Sequence, residues 1–137
     1  MPSDDKKSHS TLRKGSEGAE VEELQNKLVS LGYKLGTVDG DFGGKTEAAV
    51  IAFQRDNDLD DDGICGPMTW KALDEAKYYH ALVTASALNV RSGPGIANTV
   101  VGVLKNGENI VIVSEQNYWG RLINGAGYVS LEYVKKI

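Results

Sequence analysis

The stretch DGDFGGKTEAAV, Asp39 to Val50, returns twenty-three residues later as DGICGPMTWKAL, Asp62 to Leu73. The copies agree at Asp, Gly, Gly, Thr, Ala and a final aliphatic residue. Asp-Gly makes a turn, because Gly accepts the positive φ that such turns require. Phe42 in one copy and Cys65 in the other then sit where an apolar side chain should point inward. Gly66 precedes Pro67, and Pro is favoured at the first position of a helix. Gly66 is therefore the expected N-cap, with Thr69 in the first turn, and Gly43–Thr46 should repeat the arrangement. Replacing Gly43 or Gly66 by Val is expected to strain these helix starts. Ala49, Val50, Ala72 and Leu73 become the first core residues of two helices. A loop-plus-helix-start unit used twice can close around one further helix and share one core.

That further helix is legible upstream. Val21, Leu24, Leu28 and Leu31 recur at steps of three and four, the spacing of one helix face, and Gly32 follows where a left-handed C-cap belongs. Past KYYHAL the pattern changes. LNVRSG, TVVGVL, NIVIV, WGRLI and GYVS alternate with period two, rich in β-branched residues and separated by Gly and Asn turns. Charge changes with the period: residues 1–78 hold 16 Asp/Glu against 10 Lys/Arg, and residues 79–137 hold 3 against 5. A helical unit followed by a small all-β unit is the expectation, with the seam near Lys77–His80. MPSDDKKSHS, polar and without an apolar centre, reads as a tail or linker over residues 1–11.

Composition narrows the function classes. The 137 residues are 41% hydrophobic and 25% charged, as in soluble globular chains. No apolar run approaches the roughly 18 residues of a membrane span, and no signal-peptide pattern opens the chain. Net charge is -4 and no Lys/Arg stripe stands out, which argues against nucleic-acid binding. Cys65 is the single cysteine, so an internal disulfide and a cysteine-rich zinc site are both excluded.

The segments LRKGSEGAEVEELQNKLVSLGY, VDGDFGGKTEAAVIAFQ and DGICGPMTWKAL together resemble the three-helix peptidoglycan-binding domain of bacterial and phage wall enzymes. The resemblance covers about residues 12–75 and includes Gly18, Leu24-Gln25, both Asp-Gly turns, Phe53-Gln54 and Thr69-Trp70. Residues 81–137, through LNVRSGPG and the WG-x-L-x-x-G-x-G-Y-V-S run from Trp119, are similar to a bacterial SH3-like domain, a small β-barrel. Tyr128 stands there where Trp is more usual. Such modules ride beside a catalytic domain in endolysins and N-acetylmuramoyl-L-alanine amidases.

Catalytic chemistry finds few residues to use. A zinc hydrolase needs several converging ligands, and the only histidines are His9, in the tail, and His80, at the seam. Cys65 occupies the inward position of Phe42 and reads as a small buried apolar residue rather than a nucleophile. Asp58, Asp60, Asp62 and Gly63 reproduce the opening of a calcium loop, but the twelfth position is Thr69, where that loop requires Glu. A solvated acidic loop with weak, opportunistic calcium binding is the expectation.

A wall polymer offers sugar faces, small peptides and carboxylates, which call for flat aromatic surfaces and a few polar donors. Tyr33, Trp70, Tyr78, Tyr79, Tyr118, Trp119, Tyr128 and Tyr133 supply the surfaces, with packing as the competing role for each. Asn117, Tyr118 and Trp119 fall at a loop tip, where scaffolds tend to carry binding residues. Arg91, between LNV and SGPG, either pins that loop or meets a carboxylate. Gln25 and Gln54 follow core positions and are expected to tie helices to loops through buried hydrogen bonds.

The resulting reading is a three-helix domain at residues 12–77 and an SH3-like barrel at residues 80–137, forming a cell-wall targeting module without its enzyme. Its candidate ligand-binding residues are Asn117, Tyr118, Trp119, Tyr128, Arg91, Tyr33 and Trp70. The partners implied are peptidoglycan and a fused or associated catalytic domain, with no cofactor, no catalytic residue, no nucleic acid and no membrane. A monomer acting in the bacterial cell wall or outside the cell, as part of a phage or prophage lysin, fits the resemblance. The alternatives are a peptide-binding adaptor and a free-standing wall hydrolase.

Overall fold

Val21, Leu24 and Leu28 are fully buried on one face of α1 (Ala19–Leu31), as their spacing predicts. Leu31 is only half-buried, and the polar Gln25 takes a place in the buried face instead. Gly32 ends the helix at φ 115°, where its N–H bonds Val29 O while Tyr33 N–H reaches back to Leu28 O. Those two bonds make the Schellman stop that satisfies the last carbonyls. The computed structural model describes residues 9–137 and divides into two compact units, one ending at Glu75 and one beginning at Ala76.

In the first unit, α2 (Gly44–Asp56) and α3 (Pro67–Glu75) start where the repeat places them. Gly43 is the N-cap of α2, and Gly40 and Gly63 hold the Asp-Gly turns at φ 75° and 74°. Phe42 and Cys65 are buried with Val50, Phe53, Trp70 and Leu73. Residues 12–18 join the two loops: Leu12 and Cys65 exchange backbone bonds of 3.0 and 2.8 Å, and Gly15 N–H and Phe42 N–H bond Phe42 O and Ser16 O. The expected tail reaches into this unit at its end. The Trp70 indole Nε1–H donates to Ser10 O at 3.0 Å, and the His9 ring stacks on the indole with centroids 3.8 Å apart. Residues 1–8 of that tail lie outside the described residues.

The second unit is one seven-stranded antiparallel sheet. Its strands are β1 (Tyr79–Val83), β2 (Ala87–Arg91), β3 (Val100–Lys105), β4 (Asn109–Gln116), β5 (Trp119–Leu122), β6 (Gly127–Ser130) and β7 (Val134–Lys136), in the order β3-β2-β6-β5-β4-β1-β7. Five of these coincide with the period-two segments. The other two differ from expectation: the stretch read as a seam contains β1, which lies between β4 and β7, and the Lys-rich C-terminal end forms edge strand β7. Alternation buries Ala81, Val83, Leu88, Val90, Ile110, Ile112, Leu122 and Val129 on one face. Gly127 permits β2 and β6 to approach, since a Cβ there would lie 2.6 Å from Val90 Cγ1 and 2.8 Å from Arg91 O.

The repeat's glycines divide differently from the sequence expectation. Gly43 is extended (φ -101°), and a Cβ at Gly43 or Gly66 would meet nothing within 4 Å, so neither helix start is sterically closed to a side chain. The left-handed positions are Gly40 and Gly63, where a Cβ would also press on Glu22 and Glu47. Ser at residue 43 or 66 should therefore be neutral or stabilising by up to roughly 1 kcal/mol, as a new N-cap hydroxyl. Ser at residue 40 or 63 should cost roughly 1–3 kcal/mol. Chemical denaturation of the four variants checks both the sign and the split.

Candidate functional site

Two buried glutamines organise the loops of the first unit. Gln25 Oε1 accepts from Asp39 N–H (3.1 Å) and Gly40 N–H (2.9 Å), while its Nε2 donates to Asp41 O (3.1 Å) and Thr46 Oγ1 (2.9 Å). Gln54 does the same one copy later, accepting from Gly63 N–H and donating to Ile64 O and Thr69 Oγ1. Each Asp of the turn also accepts a backbone N–H two residues on, Asp39 from Asp41 and Asp62 from Ile64, both at 2.9 Å. The expected role of the glutamines is thus observed, and their amides are consumed by the fold. Those bonds hold the Asp39 carboxyl below its ordinary 3.8, the Asp41 N–H being the largest cause and Gln25 the next.

The acidic stretch after α2 does not assemble a cation site. Asp62 Oδ1 is committed to Ile64 N–H and Gln54, and Asp61 pairs with Arg55 at 2.7 Å. Among the described residues no group of three or more His, Cys, Asp or Glu side chains could hold a metal ion. Cys65 is buried, and desolvation pushes its thiol up to about 12, so it stays protonated and unreactive at neutral pH.

Two sequence-predicted ligand residues turn inward. Tyr33 is 4% exposed, packs edge-on against Phe53 and donates to Asp56 at 2.6 Å. Trp70 is 3% exposed beneath His9. Both rings are buried as apolar volume in the helical core.

The remaining candidates gather in the second unit. Gln116 pairs with Trp119, so Asn117 and Tyr118 form a two-residue hairpin turn, both at positive φ (51° and 67°). Gly is the usual occupant of the second position. Tyr118 holds it, 68% exposed, while its carbonyl accepts from Leu131 N–H. Trp119 parts from its neighbour and sits half-buried on β5. Because Gly120, Leu122 and Val129 face the core, Trp119 and Arg121 share the opposite face with Tyr128 and Ser130 of β6.

An open cleft of about 570 Å³ lies on that face. Trp119 and Tyr133 supply aromatic walls, Leu88 and Ile96 apolar surface, and Asn89, Arg91, Ser130 and Glu132 polar groups. Arg91 Nη1 donates to Ile96 O (3.1 Å) and Asn98 O (2.9 Å), pinning the Gly-Pro-Gly loop as one of its two expected roles requires. Asn98 Nδ2 closes the same loop through Pro94 O and Gly95 O. Tyr128 lies outside this cleft and lines a neighbouring one with Ser92, Val101 and Arg121. Sequence reasoning missed Asn89 and Glu132. The alternation of LNVR could have put Asn89 beside Arg91, whereas Glu132 sits in a 3-10 turn (Leu131–Tyr133) with no periodic signal.

Both units match family models. Residues 17–73 match the family described as putative peptidoglycan binding domain, and residues 86–135 match the family described as bacterial SH3 domain. The chain carries the two in tandem. A relative for part of its length is the N-acetylmuramoyl-L-alanine amidase CwlM of Mycobacterium tuberculosis, 46% identical over 41% of this chain and 14% of that protein. Another is a probable N-acetylmuramoyl-L-alanine amidase of Bacillus licheniformis, 41% identical over 48% of this chain and 19% of that protein. The crystal structure of a Burkholderia AP3 phage endolysin is 44% identical over 48% of this chain and 25% of that one, with a TM-score of 0.47. The chain thus spans less than a fifth of the two amidases. The domains that it shares with these families are binding domains.

The depressed Asp39 carboxyl gives the peptidoglycan-binding domain a pH signature. A group whose folded pKa lies below its unfolded value contributes stability above the unfolded pKa and loses it as pH falls through the folded one. The melting point of this domain should fall on acidification from about pH 5 to below about pH 4. In Asp39→Asn that fall should be shallower, as calorimetry across this range would read.

Proposed function

We propose that the chain is a cell-wall binding module, in which the peptidoglycan-binding domain and the SH3 domain hold an associated catalytic domain on peptidoglycan. The observation that carries this reading is the tandem itself: two domains of binding families on one chain, the second with an open aromatic cleft. Linking two modest contacts makes the second intramolecular, which can raise avidity by roughly 10²–10⁴ where both reach the polymer. In this reading the module is non-catalytic, works as a monomer at the bacterial wall or outside the cell, and belongs to an endolysin or amidase of phage or bacterial origin. The domain limits are residues 12–77 and 80–137, and the seven strands curl into an SH3-like barrel left open between β3 and β7. Ligand contacts fall on Trp119, Arg91, Asn117, Tyr118 and Tyr128, with Tyr133 added from the cleft.

One observation favours peptide binding as a second reading. Edge strand β3 carries Val100, Val101 and Val103 at 43%, 56% and 59% exposure, with no charge between Thr99 and Lys105. An open apolar edge accepts an added strand.

Co-sedimentation with purified sacculi tests the first reading directly. Trp119→Ala and Tyr133→Ala should each weaken sedimentation by about fivefold or more, taking a buried aromatic contact at about 1 kcal/mol, while the melt of the SH3 domain stays in place. Undiminished sedimentation of both variants would remove the cleft from the site. Failure of the parent chain to sediment would favour the adaptor, and clearing of the sacculi would mark a hydrolase.

A further inference from the structure

The charges in the Trp119 cleft are not spent on each other. Arg91 and Glu132 both line it, yet no ion pair joins them, and neither pairs with any other described charge. Arg91 uses only one corner of its guanidinium for the loop, since both of its hydrogen bonds leave from Nη1. A guanidinium carries five N–H donors, so the Nε and Nη2 edge remains for a planar bidentate acceptor. The two loop carbonyls also fix its orientation in advance, which lowers the cost of ordering it around a ligand. Glu132 is placed by the backbone: its N–H donates to Ser130 Oγ at the start of the 3-10 turn, while its carboxylate stays exposed. The rings of Trp119 and Tyr133 line the same cleft. An ammonium is attracted to such ring faces as well as to a carboxylate.

We propose that this cleft takes a group bearing an ammonium and a carboxylate on one carbon, with the carboxylate on the free edge of Arg91 and the ammonium toward Glu132. The rings of Trp119 and Tyr133 would cover the apolar part of the ligand. A lone carboxylate would leave Glu132 facing an acid, and a lone amine would leave Arg91 facing a cation; only the dipolar group complements both. On the wall-binding reading, on which this rests for its biological source, the matching group is the free amino-acid end of an uncrosslinked diamino-acid residue in a stem peptide. The SH3 domain would then count uncrosslinked peptides rather than read glycan.

Three small probes separate the possibilities: meso-2,6-diaminopimelate, pimelate, which lacks the amines, and 1,5-diaminopentane, which lacks both carboxyl carbons. Each is titrated at millimolar concentration into the full chain, with the Trp119 indole N–H signal as the NMR readout, assigned by Trp119→Phe. Diaminopimelate alone should shift the signal, and Glu132→Gln should weaken its apparent affinity by about fivefold, the worth of a charge pair near 1 kcal/mol. An equal response to pimelate or 1,5-diaminopentane overturns the proposal, as does no response to diaminopimelate. Sacculus sedimentation is run in parallel on the same protein. Sedimentation without a diaminopimelate response refutes the dipolar ligand and leaves wall binding standing. A diaminopimelate response without sedimentation supports the ligand class and refutes the wall as its source.

Discussion

Two buried amides hold the first domain together. An Asp-Gly loop that enters a core brings N–H and carbonyl groups that water can no longer reach, and an unsatisfied one costs about 1–3 kcal/mol. Gln25 and Gln54 answer that requirement from helix faces otherwise filled by leucine and phenylalanine. Each is 1% exposed, and each spends its carbonyl on the turn and its amino group on the residues that follow, ending at the threonine of the next helix. Glu is excluded by the same geometry, because a carboxylate has no hydrogens for Asp41 O or Ile64 O. The repeated threonines, Thr46 and Thr69, are therefore part of the bonding pattern. So is the placement of α2 and α3, whose starts follow directly from the satisfied loops.

The SH3 domain solves a related problem with a charged side chain. Its Ser92–Thr99 loop is closed by Ser92 N–H to Thr99 O and braced by Arg91 and Asn98, whose polar groups reach four loop carbonyls between them. The brace and the cleft share Arg91, so the guanidinium that fixes Ile96 beside the cleft also defines one end of it. A loop anchored in this way presents exposed apolar surface, Ile96 at 80%, without collapsing onto the sheet. Glutamine serves where the side chain is fully buried and must both donate and accept. Arginine serves where one edge of the group must still face solvent.

What could be read in advance follows from the range of each signal. The repeat, the α1 stripe, the Gly32 stop and five strands are local patterns, and each was legible because its cause lies within about ten residues. Gln25 and Gln54 were legible too, as polar residues in apolar faces next to a motif that needs donors and acceptors. Strand β1 was not, because Tyr79–Val83 is short and its pairing to β4 and β7 is decided some thirty and fifty residues away. The glycine assignment erred for a related reason. The Asp-Gly motif marks Gly40 and Gly63 as left-handed in advance, but only the structure shows that Gly43 and Gly66 are open to a side chain. For aromatics the hidden variable is the face: Trp70 and Trp119 look alike in sequence, and the core claims the first while the second reaches the cleft.

Division into two units has a consequence for how the charges act. The first 78 residues are strongly acidic and the rest slightly basic, so a single long-range field cannot draw both toward one charged polymer. At physiological ionic strength such fields decay over about 8 Å in any case. Attraction must then come from contacts made at close range, where orientation of individual groups decides affinity. On the proposed reading the cleft suits that regime, with two opposite charges held by backbone and loop rather than by each other. A receptor of the proposed kind would lose little to salt compared with a basic patch, because the cleft presents a dipole and not a net charge. Its selectivity would lie in the separation of Arg91 and Glu132, a distance set by the β2–β6 contact that Gly127 allows and by the 3-10 turn that Ser130 caps.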